Sequence, residues 1–143
     1  MTHYTDEGHI DHIRKASKLG DFLFVVTHNE RALIQKKGYE FQPLDTRVVL
    51  LRAVLALYRI KGKVVTAKED DMPDRHYNQG IGETIRVIRP QVFAKGGDRT
   101  SSNLPLDEIK ACQEIGCEIR YGVGELLGSS SDRVRRIAQM AVV

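Results

Sequence analysis

The sequence predicts an α/β domain of Rossmann-like architecture, a parallel sheet with helices on both faces. Two observations carry that prediction. Short apolar runs alternate with segments of helical periodicity along the whole chain, and such alternation favours parallel strands joined by crossover helices. The first strand, FLFVV at 22–26, is also apolar on consecutive positions rather than on every second one, as a strand covered on both sides is.

The elements follow in order. Ile10, Ile13, Ala16 and Leu19 recur at helical spacing and Gly20 follows as a stop. Residues 22–26, FLFVV, read as a buried strand. The polar KKGYEFQP segment leads to a helix over 44–58, with Asp45 in its first turn. KVVTA at 63–67 is a second strand, and the charged stretch 68–78 reads as a surface loop. A short helix over 82–88 stops before Pro90, where the residue preceding a proline is turned away from helical geometry. A third strand at 92–94 ends in KGGD, a helix over 107–115 is followed by Gly116, and CEIRY at 117–121 is a fourth strand. Three serines open a last helix over 129–140. No repeat, low-complexity tract or linker interrupts this order, so residues 1–143 are read as one domain, a length that suits one core.

Composition excludes several classes. Hydrophobic residues make up 41% and charged residues 29% of the chain, as in a soluble globular protein. No apolar run reaches the roughly 18 residues of a membrane span, and the polar, acidic start MTHYTDEGH is no signal peptide. With only two cysteines, Cys112 and Cys117, a disulfide framework is not expected, and a cytoplasmic location is. Those thiols lack nearby His or Cys to complete four metal ligands, so no protein metal site is assigned and a redox or metal protein is disfavoured. The net charge of +3 tolerates an anionic ligand, while 6% aromatics and no basic–aromatic interleaving disfavour nucleic acid.

Ligands of open parallel sheets bind beyond the carboxyl ends of the strands, and polar signals cluster there. Gly8 and His9 open the first helix, whose free N–H groups and positive dipole end favour phosphate. Lys95, Gly96, Gly97 and Asp98 follow the third strand. The glycines admit close approach, Lys95 can meet phosphate, and Asp98 can accept from ribose hydroxyls. Ser129, Ser130 and Ser131 start the last helix and make a triphosphate cradle. Lys36 and Lys37 stand in a glycine-containing loop able to close over phosphates. Each signal also has a plainer reading, as a turn, a cap or a solvated charge pair; their order along the chain is the stronger evidence.

In that order the sequence resembles the cytidylyltransferase-like nucleotidyltransferases, and within them the heptose-1-phosphate adenylyltransferase type that serves lipopolysaccharide core synthesis. Gly8-His9 with a helix ending Leu19-Gly20-Asp21 looks like that family's first helix, FLFVVTHNE (22–30) its second strand, and KKGYEFQPLDTR (36–47) its lysine loop with the arginine of the next helix. IRPQVFAKGGDR (88–99), GCEIRYGV (116–123) and GSSSDRVRRI (128–137) match its last two blocks. The resemblance implies transfer of a nucleoside monophosphate from ATP or CTP to a phosphorylated small-molecule acceptor, with Mg²⁺ bridging phosphate oxygens, in a homodimer. By the same resemblance His9, Lys36 and Lys37 would serve catalysis. Gly8, His9, Arg47, Lys95, Gly96, Gly97, Asp98, Ser129, Ser130 and Ser131 would bind nucleotide, Arg47 at the β- and γ-phosphates.

Two departures shape the expectations. The family pattern runs strand, GG-aromatic-Asp, then HxGH, whereas this chain begins inside that segment, so its natural start is expected upstream of Met1. Asp6 stands where the first histidine of HxGH would be, and His9 matches the second. The alternative reading is a non-catalytic nucleotide-binding or interaction protein that kept the cradle.

Overall fold

The computed structural model describes residues 7–29, 42–72, 80–97 and 99–124. Within them the order is α1 (Glu7–Ser17), β1 (Leu23–Thr27), α2 (Leu44–Leu57), β2 (Gly62–Thr66), a 3₁₀ turn (Lys68–Asp71), α3 (Gly82–Ile88), β3 (Val92–Ala94), α4 (Leu106–Ile115) and β4 (Glu118–Arg120). The helices and strands are those that periodicity predicts, with ends displaced by a residue or two. The expected helix over 129–140 lies outside the described residues.

All strand pairing is parallel. β1 pairs with β2 in the register Leu23 to Gly62 through Thr27 to Thr66, and β3 pairs with β4 from Val92–Glu118 to Ala94–Arg120. The parallel α/β arrangement that alternation predicts is present, and among the described residues the four strands form two two-stranded parallel sheets. The family resemblance puts its first strand centrally in the sheet, and periodicity cannot show whether neighbouring strands share a ladder.

Two apolar clusters lie on opposite faces, which is the layer arrangement of an α/β fold. Ile13 of α1 and Leu51, Val54 and Leu55 of α2 pack with Val64 of β2, joined by Leu23 and Val25 of β1. Ile81 and Ile85 at α3 and Ala111 and Cys112 of α4 form the second cluster with Ala67, joined by Val26 of β1, Phe93 of β3 and Ile119 of β4. Successive strand residues point to opposite faces, so Val25 and Val26 serve different clusters. Both sheets share the second one, which fixes them to one another. The FLFVV run is less covered than its composition suggests: Phe22 is 55% and Phe24 41% exposed, their rings 5.1 Å apart.

A correction concerns the charged stretch after β2. It begins with a 3₁₀ turn in which Glu69 and Asp70 are buried, not a solvated loop. Residues 73–79 lie outside the described residues. Glu69 accepts from the Thr84 backbone N–H at 2.9 Å and from its hydroxyl at 2.7 Å. Asp70 accepts from the Asn29 N–H at 2.6 Å and lies 2.8 Å from His28 Nδ1. Buried carboxylates persist where such donors replace water.

Candidate functional site

Thr27–Asn29 and the 3₁₀ turn follow the carboxyl ends of β1 and β2, Lys95–Gly97 and Gly122–Gly124 follow those of β3 and β4, and Glu69 on Thr84, Ile81 on Glu108 and Glu108 beside Lys95 link the two groups. Helix α1, which carries Gly8 and His9 in its first turn, meets the Gly122–Gly124 turn through the side chain of His12 in its second. Its Nδ1 donates to the Val123 carbonyl. A carbonyl can only accept, so Nδ1 carries the proton.

The two loops are joined to each other as well. Lys95 N–H donates to the Arg120 carbonyl at 2.8 Å, Val123 N–H to the Lys95 carbonyl at 3.0 Å, and Gly97 N–H to the Gly124 carbonyl at 3.3 Å. His12 packs where two glycines leave room. A Cβ on Gly96 would stand 3.0 Å from both His12 Nδ1 and the Val123 oxygen. One on Gly124 would lie 2.9 Å from His12 Cα, at a φ of +100° that side chains resist. The glycines therefore serve approach of protein to protein as well as any approach of ligand.

Lys95 leads inward. Its ammonium lies 3.6 Å from Glu108 Oε1 and 4.9 Å from the centre of the Phe93 ring. Burial lowers its pKa from 10.5, and Glu108 works against that shift. Glu108 is itself only 1% exposed and accepts from the Ile81 N–H at 3.1 Å. Asp107 accepts from the N–H groups of Gly80 at 3.0 Å and Gly82 at 3.2 Å. With Glu69 on Thr84, three carboxylates thus cover the amino end of α3, satisfying donors that a helix start leaves open. That helix end is closed to a phosphate.

Arg47 is fully buried. Its Nε donates to the Gln42 carbonyl at 3.0 Å and Nη1 to the Thr27 hydroxyl at 2.6 Å. The guanidinium expected at the β- and γ-phosphates is thus directed into the protein, where it ties the start of α2 to the end of β1. Gly8 and His9 are half-buried at the α1 start, and Gly96 is half-buried beside His12. Lys36, Lys37, Asp98, Ser129, Ser130 and Ser131 lie outside the described residues.

Residue-by-residue reading missed His12, Glu69, Asp70 and Glu108 as parts of this end. For His12 a signal existed: it stands one turn beyond Gly8 on the same helix face. The shallow surface depression of about 360 Å³ lined by Ser17, Gly20, Asp21, Tyr58, Arg59, Ile60 and Lys61 lies at the amino ends of β1 and β2, away from these loops.

The His12 ring gives a pH prediction. Burial, the dominant cause, holds its pKa below 6.5; Lys95 acts in the same direction, while the Val123 carbonyl and Asp11 oppose it. The unfolded chain therefore binds this proton more readily than the folded one. The stability contribution is complete above about pH 6.5 and declines as pH falls below it. Thermal unfolding from about pH 7 down to about pH 5 should show a falling midpoint, with a shallower fall in His12→Asn. Equal slopes in the two proteins would remove His12 as a source.

No protein-family profile matches the chain. Curated relatives do. It is 29% identical over 119 residues to the bifunctional protein HldE of Hahella chejuensis, covering 82% of this chain and 20% of that protein. It is 32% identical over 100 residues to HldE of Streptomyces coelicolor, covering 68% and 19%. It is 32% identical over 110 residues to HldE of Yersinia enterocolitica, covering 76% and 19%. The chain spans about a fifth of the length of these relatives. No helix among the described residues is long and apolar enough to cross a membrane. The Rossmann-like layers and these alignments agree with the resemblance that the sequence blocks carry: the chain is a homologue of one segment of the bifunctional HldE proteins.

Proposed function

We propose that the chain is a nucleotidyltransferase domain that takes ATP or CTP and transfers its nucleoside monophosphate to a phosphorylated sugar or polyol, a heptose phosphate being the first acceptor to test. The observation that carries this reading is the meeting of the α1 start with the Lys95–Gly97 and Gly122–Gly124 turns at the carboxyl ends of the strands. The similarity to HldE supports it.

An oxygen of the acceptor phosphate attacks the α-phosphorus in line. The bond to the bridging oxygen breaks, and pyrophosphate leaves with that electron pair. No protein nucleophile is required, so catalysis consists of positioning and charge stabilisation. His9 and the amino end of α1 meet the phosphates, and Lys36 and Lys37 close over the α-phosphate and the acceptor. Ser129–Ser131 hold the β- and γ-phosphates. Lys95, kept inside by Glu108, adds positive potential to the turn, while Gly96, Gly97 and Asp98 line the nucleoside end. Arg47 shapes the site from behind by fixing the start of α2. Among the described residues no three His, Cys, Asp or Glu side chains converge to hold an ion. Mg²⁺ would arrive with the nucleotide and would supply positive charge to offset that of the phosphates. A cytoplasmic homodimer completes the proposal.

Calorimetric titration with ATP and CTP, followed by pyrophosphate release with a panel of sugar phosphates, tests the reading. Binding without release in any combination would favour the non-catalytic alternative, which the aspartate at position 6 motivates. Loss of Asp98 offers a sharper check. Asp98→Ala should weaken nucleotide binding by about 1–3 kcal/mol, the scale of a hydrogen bond to a charged group, with little change in the ligand-free thermal midpoint. A large stability loss at unchanged affinity would make the segment a plain turn.

A further inference from the structure

We propose that His12 is a positioning residue of the nucleotide site, its imidazole locking the Lys95–Gly97 and Gly122–Gly124 turns onto α1. The proposal rests on the nucleotidyltransferase reading for its ligand and on the following contacts for its geometry.

The two turns are already knitted to one another by Val123 N–H to the Lys95 carbonyl and Gly97 N–H to the Gly124 carbonyl. They would move as a unit. What ties that unit to α1 at this point is His12, through the Nδ1 bond to the Val123 carbonyl and through contact with the spaces that Gly96 and Gly124 leave open. His12 stands three residues beyond His9 and four beyond Gly8, so it rides on the same helix face as the phosphate-binding turn. A ligand that spans from the α1 start to the glycine turn has one end on each side of this clamp.

The consequence is geometric. Because the two turns are bonded to each other, a shift of the Gly122–Gly124 turn moves Lys95 and the glycine backbone relative to the start of α1. Displacements of about 1 Å in a preorganised site lower binding or rate by up to about 100-fold. A second substitution discriminates the contact from bulk packing. Asparagine can place an amide N–H near the position of Nδ1, glutamine cannot, and alanine removes the donor and the ring.

The test uses the full-length protein with His12→Ala, His12→Asn and His12→Gln. Amide hydrogen exchange at Gly97 and Val123 reads the clamp, and calorimetry with ATP and CTP in the presence of Mg²⁺ reads the site. Expected for His12→Ala is exchange at these two amides about tenfold faster or more, unchanged protection in β1 and β2, and about tenfold weaker nucleotide binding. His12→Asn should recover most of both effects and His12→Gln little. Should His12→Ala fail to fold, the Asn and Gln variants decide the matter between them. Unchanged exchange and affinity in His12→Ala, or an asparagine no better than glutamine, would overturn the proposal while leaving the nucleotide reading intact. If the unaltered protein binds neither ATP nor CTP, the nucleotide reading falls and the site role of His12 with it.

Discussion

His9→Ala is expected to abolish nucleotidyl transfer while leaving the fold in place, and Asp6→His is expected to raise transfer about tenfold or more. His9 stands half-buried in the first turn of α1, where helix N–H groups favour an anionic ligand. Rate depends on contacts that strengthen as charge develops on the phosphate oxygens and the leaving pyrophosphate. Removing one donor of that kind lowers rates by roughly 100-fold to 1000-fold. An ionised Asp6 cannot donate, so the unaltered chain should turn over slowly with His9 carrying the remainder. Asp6 itself lies outside the described residues, and the expectation rests on its place in the DEGH block. Pyrophosphate release in the full-length protein is the measurement, with thermal midpoints as the control for folding. Unchanged or lower activity in Asp6→His together with a harmless His9→Ala would end the catalytic reading and leave a nucleotide-binding protein.

Arg47→Ala is expected to cost about 3 kcal/mol of folding stability. The side chain is fully buried between the Gln42 carbonyl and the Thr27 hydroxyl, and Thr27 is itself fully buried. Alanine would leave both acceptors without this donor and a cavity where the guanidinium stood. A loss of that size corresponds to a thermal midpoint lower by about 10 °C in a chain of this length. Arg47→Lys should recover only part of it, because an ammonium cannot reproduce the two-sided fork of a guanidinium. Urea unfolding measures the loss. An Arg47→Ala protein of native stability with nucleotide affinity reduced tenfold or more would instead return Arg47 to the phosphates.

Arg47 shows how a site residue can be read from sequence and yet be turned elsewhere by the fold. The block order that includes Arg47 is visible without a structure, but the direction of its side chain is not. An arginine near a helix start can point to a ligand or inward, and the choice is made by Thr27, 20 positions away. Glu69 and Asp70 teach the same lesson. Two acidic residues among charged neighbours read as solvated, because burying a carboxylate is costly without donors. The donors are Thr84, 15 positions on, and His28 and Asn29, 42 and 41 positions back.

By itself the sequence determined the alternation of strands and helices, and with it which residues fall at the carboxyl ends of the strands. Both follow from local properties: apolar periodicity, glycine and proline stops, and the rule that parallel sheets bind ligands at one end. It also carried the family relationship, since ordered blocks survive in a linear comparison. Only the tertiary structure decided that the described strands stand as two parallel pairs, that three carboxylates cover the start of α3, and that His12 lies between Gly96 and Gly124. Each of these depends on a hydrogen-bond partner or a close approach supplied by a distant part of the chain. Contacts as long in sequence as His12 to Val123, 111 residues apart, leave no local periodicity from which to read them.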